Sequence, residues 1–125
     1  ACTSLLIVLG NTPWRIAIEH PDEGESPIRI VELRDESLSV SGIGGKSFVD
    51  VDGHEQGHVI DPRTGRPTQA ARVAAVICES ATESDALATA LLTNGPSMLQ
   101  RLRSNTRALA AVMKEGQLAI EARGL

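Results

Sequence analysis

At 125 residues, with 42% hydrophobic and 22% charged side chains, the chain has the composition of an ordinary globular domain and room for one hydrophobic core. A net charge of −4 gives no basic field to draw in a phosphate backbone, and one Phe, one Trp and no Tyr give bases nothing to stack on, so nucleic acid is excluded as the expected partner. Cys2 and Cys78 belong to no metal-ligand or C-x-x-C spacing, and the longest apolar run, Leu5 to Leu9, is too short to span a bilayer.

With no charged-then-apolar leader ahead of that run, the chain reads as a soluble single domain, residues 1–125. Its first strand starts almost at residue 1, as it would if a preceding part were missing. Ser4 to Leu9 closes on Gly10-Asn11, and Trp14, Ile16 and Ile18 then alternate with Arg15, Ala17 and Glu19 as a half-buried strand does. Pro21 to Pro27 is a turn or loop, and Ile28 to Leu33 with Ser37 to Ser41 reads as a pair of strands around Arg34-Asp35-Glu36. Ser41 to Gly45 forms a glycine-rich loop, and Ser47 to Val51 is a further strand ending at Asp52-Gly53. After the polar stretch His58 to Gln69, the run Ala71 to Cys78 has the length and continuity of a buried strand. Ser80 and Glu83 stand in capping-box spacing ahead of Leu87, Leu91 and Leu92, with Gly95-Pro96 as a stop, which predicts a helix. A second helix is expected over about Pro96 to Arg103, then a hairpin of Leu109 to Met113 and Gln117 to Ala122 turning at Glu115-Gly116. Strands followed by helices place the chain in the α+β class, with a mixed or antiparallel sheet and two helices.

Three constellations can carry chemistry. In Gly57 to Pro67 an imidazole, a carboxylate and a guanidinium lie within six residues, stiffened by two prolines and freed at one glycine. Arg63 suits a phosphate, Asp61 an orienting role and His58 a proton relay near neutral pH; an Asp-Pro turn with a solvated arginine has the same residue content. Asp85 and Thr89, four residues apart on the predicted helix, project from one face, so a carboxylate and a hydroxyl can meet the same hard cation. Equally, an Asp in the first turn serves the helix dipole and a Thr bonds back to the backbone. Ser41-Gly42 with Gly44, Gly45 and Lys46 lets backbone N–H groups approach an anion, although neither the spacing nor a following helix makes it a Walker loop. His20 and His54 are expected as exposed loop residues.

Taken in order, these segments resemble the C-terminal half of the ApbE family, the FAD:protein FMN transferases. The likeness runs through Trp14-Arg15-Ile16-Ala17-Ile18 with His20-Pro21, the Ser41-Gly42 turn, His58 to Gly65, and Asp85-Ala86-Leu87-Ala88-Thr89-Ala90. The H-x-I-D-P-R-T-G and D-A-L-A-T-A segments are specific as a pair at this separation. The resemblance implies an ApbE-like, T-fold-like half and a magnesium-dependent cut of the FAD diphosphate. FMN is joined through its phosphate to a Thr or Ser of a target protein, and AMP leaves. It assigns Asp85 and Thr89 to magnesium and His58 to transfer, with Asp61 beside it as a catalytic candidate. Ser41, Gly42, His58, Ile60 and Arg63 are assigned to the flavin nucleotide, with Asp61 and Arg63 shaping the diphosphate pocket or holding its loop. It also implies a periplasmic or membrane-anchored extracytoplasmic setting.

The departures shape the expectation further. Family members run to more than twice this length, and their N-terminal part supplies much of the flavin pocket and a backbone magnesium ligand. A companion chain or a homo-oligomer is therefore an expected partner beside FAD and the acceptor protein. The Leu9 to Trp14 turn is short, and Ile43, Gly44 and Gly45 replace the polar and aromatic residues that follow the Ser-Gly turn. Two alternatives stay open: a non-catalytic module that binds a flavin nucleotide or a partner on the same scaffold, and a hydrolase that splits FAD to FMN and AMP.

Overall fold

A computed structural model of the chain describes residues 4–22, 24–43, 48–49, 51–53, 55–56 and 59–125. In chain order the elements are β1 (Ser4–Val8), β2 (Trp14–Ile18), β3 (Arg29–Leu33), β4 (Glu36–Gly42), β5 (Phe48–Val49), β6 (Glu55–Gln56), β7 (Ile60–Asp61), β8 (Arg66–Pro67), β9 (Val73–Cys78), α1 (Ala81–Asn94), a 3-10 segment (Pro96–Arg101), β10 (Arg107–Lys114) and β11 (Gln117–Arg123). A five-stranded sheet runs β1-β4-β9-β10-β11, and β2-β3, β5-β6 and β7-β8 are two-stranded ribbons. Every pairing among the described residues is antiparallel, so the α+β expectation resolves to an antiparallel sheet.

Side-chain alternation builds three layers. In β9, Ala74, Val76 and Cys78 join α1 in one core cluster, while Ala75 and Ile77 join Ile18, Val31 and Leu33 of the β2-β3 ribbon in the other. All six residues of β9 are buried because both faces are covered. The neighbouring strand β4 obeys the same period: Leu38 and Val40 point to the ribbon, and Ser37, Ser39 and Ser41 are fully buried on the opposite face, where α1 packs. Small side chains on that face let the helix approach the sheet closely. Leu91 and Leu92 fill the space beyond them. Truncating one, Leu91→Ala, should cost about 2–5 kcal/mol, read as a lower Tm and denaturant midpoint with an unchanged m-value.

The helix is bounded as its sequence requires. The Ser80 hydroxyl accepts from the Glu83 N–H at 3.1 Å, and the Gly95 N–H donates to the Leu91 carbonyl at 2.8 Å. Gly95 has φ +82°, and a Cβ there would meet the Ala70 Cβ at 3.3 Å, so glycine is needed twice over. The segment after Pro96 is 3-10 rather than α-helical and ends at Arg101. The closing hairpin turns through Glu115 (φ +52°) and Gly116 (φ +77°), both left-handed, as a two-residue turn matching strand twist requires.

Two strand expectations change. β3 and β4 are consecutive but do not pair: β3 joins β2 while β4 lies between β1 and β9, and the chain switches layers at Asp35, which takes φ +50°. Ser41-Gly42 is the end of β4 rather than a loop, in register with Ala74-Val73 of β9. Trp14 also departs from its expected face. It lies opposite the buried Leu33 at the start of β2, yet it is itself exposed. On β1 only Val8 is buried; Leu5, Leu6 and Ile7 are exposed, although each is paired with β4 on one side.

Candidate functional site

Asp85 sits in the second turn of α1, past Glu83, which occupies the first. The helix dipole acts mainly within the first turn, so it does not account for a carboxylate at this position. Among the described residues nothing bonds to the Asp85 side chain, which is half-buried. One turn on, Thr89 does not bond back to its own helix. Its hydroxyl lies 3.3 Å from the hydroxyl of Ser41 on β4. The backbone-bonding role belongs to Thr93, whose hydroxyl donates to the Thr89 carbonyl at 2.9 Å. A second hydroxyl pair, Ser37 with Ser84 at 2.9 Å, fixes the helix to the same strand nearer its start. The two pairs hold α1 along β4 so that the flank carrying Asp85 and Thr89 is set by the sheet.

The other constellation is a β7-β8 hairpin with Asp61 at its centre. The Asp61 carbonyl accepts from the Gly65 N–H at 2.8 Å and the Thr64 N–H at 3.2 Å, closing the Pro62–Gly65 turn. Its carboxylate accepts from Arg63 three times: backbone N–H at 2.9 Å, Nε at 3.1 Å and Nη2 at 3.0 Å. The guanidinium fork and then the backbone N–H of Arg63 hold the Asp61 carboxyl below its ordinary range, and Asp61 in turn raises Arg63. Asp61 is nearly buried while Arg63 is largely exposed, so the aspartate anchors a cation that still presents an edge to solvent. A carboxylate with those partners is a poor proton acceptor and a good clamp.

The hairpin is tied to α1 by a residue the sequence did not single out. The buried Thr68 donates its N–H to the Val59 carbonyl at 2.8 Å and its hydroxyl to the Thr93 carbonyl at 3.3 Å. Hydroxyl-to-carbonyl bonds thus link Thr93 to Thr89 and Thr68 to Thr93, and the Thr68 N–H continues to the Val59 carbonyl. The period-two serines of β4 are a sequence signal for part of this arrangement; the Thr68 contact has none, since it joins residues 25 apart.

Of the expected site residues, the structure brings Ser41 to Thr89 and Asp61 to Arg63, and the Asp61 hairpin is tied to Thr93 at the C-terminal end of α1, more than two turns past Asp85. Gly42 ends β4 beside them, and Ile60 points largely to solvent from β7. His58 lies outside the described residues, as do Gly44, Gly45, Lys46, His54 and Cys2. His20, expected as an exposed loop residue, is in a loop but mostly covered, and its Nδ1 accepts from the Asp22 N–H at 3.0 Å. Cys78 is a core residue whose thiol burial pushes up, as does the neighbouring Glu83 charge. One cleft lies between the 3-10 segment and β11 and another around the Glu19–Pro27 loop; neither is lined by Ser41, Asp61, Asp85 or Thr89. No group of three or more His, Cys, Asp or Glu side chains converges among the described residues. Asp85 and Thr89 are two hard oxygen donors, which fits magnesium, an ion that fills its other positions with water and phosphate.

The chain is similar to known proteins along most of its length. The model of the ApbE family matches residues 4–113. A FAD:protein FMN transferase of Salmonella typhimurium is 36% identical over 108 residues, covering 84% of this chain and 31% of that protein. The ApbE protein of Thermotoga maritima superposes with a TM-score of 0.75 at 28% identity, over 92% of this chain and 38% of its own. The flavinyl transferase ApbE of Pseudomonas stutzeri, in its apo form, gives 0.71 at 29% identity, over 96% and 39%. The chain therefore spans about a third of the length of such relatives.

Proposed function

The chain belongs to the ApbE family, and from that premise we propose that it is the magnesium- and diphosphate-binding part of an enzyme that transfers FMN from FAD to a Thr or Ser hydroxyl of a target protein. The observation that carries the reading is Asp85 and Thr89 one helical turn apart, with the Thr89 hydroxyl turned to Ser41 instead of to its own backbone. Asp85 and Thr89 would hold the magnesium, which when bound offsets charge on the diphosphate oxygens. In the transfer, the acceptor oxygen bonds to the phosphorus on the FMN side of the diphosphate. The bond from that phosphorus to the bridging oxygen breaks, and AMP leaves with that oxygen. The hydroxyl proton goes to a base, a role we give to His58. Arg63 supplies positive charge toward the diphosphate, and Asp61 holds Arg63 and the turn that follows His58. Gly42 and Ile60 border the nucleotide.

We place the rest of the pocket on further polypeptide, whether more of a longer chain, a companion chain or a second copy. β1, with Leu5, Leu6 and Ile7 exposed, offers an apolar strand beside α1 for it. The setting we propose is extracytoplasmic. The test is to mix the protein with FAD, magnesium and an acceptor domain. Expected are an acceptor heavier by FMN on a Thr or Ser and release of AMP. AMP and free FMN without an acceptor adduct would point instead to a hydrolase. Nucleotide binding with no AMP at all would point to a non-catalytic module.

A further inference from the structure

We infer that Ser41 acts on the metal site rather than on the nucleotide: it is a positioning residue that orients the Thr89 hydroxyl toward the cation. This rests on the reading of Asp85 and Thr89 as magnesium donors.

Ser41 lies on β4 with no exposed surface, on the face that α1 covers. A side chain so enclosed contacts the helix above it, and its hydroxyl is 3.3 Å from Thr89 Oγ1. A threonine hydroxyl carries one proton and two lone pairs. For a lone pair to meet a cation, the proton must turn away from it, and an acceptor placed on the far side selects that rotamer. Either hydroxyl of the pair can donate, so Ser41 Oγ can serve as that acceptor, and Asp85 stands one helical turn before Thr89 on the same helix. The 3.3 Å separation is longer than the about 2.7–2.8 Å usual between hydroxyls, which leaves slack. A cation on Thr89 makes its proton more acidic and shortens the bond, so metal binding and the Ser41 contact strengthen together.

The structure also contains its own control. Ser37 and Ser84 make the matching contact between the same strand and helix at 2.9 Å. Ser84 has a further acceptor in the Ala81 carbonyl at 3.1 Å. If buried hydroxyls on β4 merely fasten the helix, Ser37→Ala and Ser41→Ala should behave alike.

The test is titration of the protein with Mn2+ alone, as a magnesium surrogate, followed by loss of the free-ion EPR signal, with Tm recorded for each variant. Ser41→Ala should weaken Mn2+ binding roughly tenfold, the loss that follows removal of an outer partner of a metal ligand. Ser37→Ala should match the wild type in Mn2+ affinity while lowering Tm about as much as Ser41→Ala. FAD affinity at saturating Mn2+ should be unchanged in Ser41→Ala. Equal Mn2+ affinity in Ser41→Ala and wild type would overturn the inference, and so would equal weakening by Ser37→Ala. Asp85→Ala separates the layers. Should it leave Mn2+ binding intact, the metal site itself is wrong; should it abolish binding while Ser41→Ala does nothing, only the role given to Ser41 fails.

Discussion

Asp85→Ala should remove FMN transfer almost completely while leaving the domain at least as stable as the wild type. Magnesium stabilises charge in phosphoryl transfer by several kcal/mol, so losing the carboxylate proposed to hold it should lower the rate roughly 10²–10³-fold. The stability half of the expectation follows from the helix. Asp85 is past the first turn of α1, it bonds to nothing among the described residues, and Ala is a better helix former than Asp. A purely structural residue would behave the other way, costing Tm and sparing activity. Asp85→Asn keeps the shape and loses the charge, so it should fall nearly as far as Asp85→Ala. Intact-mass measurement of the acceptor gives the rate and thermal unfolding gives the stability. Transfer at the wild-type rate in Asp85→Ala would sink the metal assignment.

How far the sequence could be read depended on whether a signal was local. Ser80, Glu83, Leu91, Leu92 and Gly95 define α1 by contacts within a few residues, and the helix formed between the expected caps. The run to Cys78 likewise became a strand buried on both faces, because burial on two sides leaves a continuous apolar string. Partner choice is not local. Ile28–Leu33 and Ser37–Ser41 look like a hairpin in the chain, yet the layer change at Asp35 sends each to a different sheet, since Val31 and Leu33 belong to one core and Ser37, Ser39 and Ser41 face the helix. The same non-locality hid what Ser41 touches: a Ser-Gly pair before two glycines reads as a loop until β9 and α1 close over it. At Thr89 the sequence left a cation ligand or a bond back to the helix, and the contact with Ser41, 48 positions away, takes the place of the second. The family resemblance did carry across such distances, because the Asp-Pro-Arg turn and the Asp-to-Thr helical pair occur together in one fold.

Asp61→Ala is expected to lower transfer roughly tenfold to a hundredfold by loosening the turn after His58, without exposing a role for Asp61 as a base. Three bonds from Arg63 end on the carboxylate, and the substitution releases all of them together with the guanidinium's orientation. Arg63→Ala should cost less, because the Arg63 N–H still bonds Asp61 and only the charged edge is lost. The double variant should be little worse than Asp61→Ala alone, since both changes break one unit. The pH dependence separates clamp from base. Arg63 depresses the folded-state pKa of Asp61, so the clamp is fully present above the ordinary aspartate value and is lost only as pH falls through the lower folded value. From about pH 5 to 8 the carboxylate stays ionised, and the wild-type to Asp61→Ala rate ratio should be flat across that window. A ratio that climbs with a midpoint near neutrality would mean that Asp61 exchanges a proton during turnover, and the clamp would have to be given up.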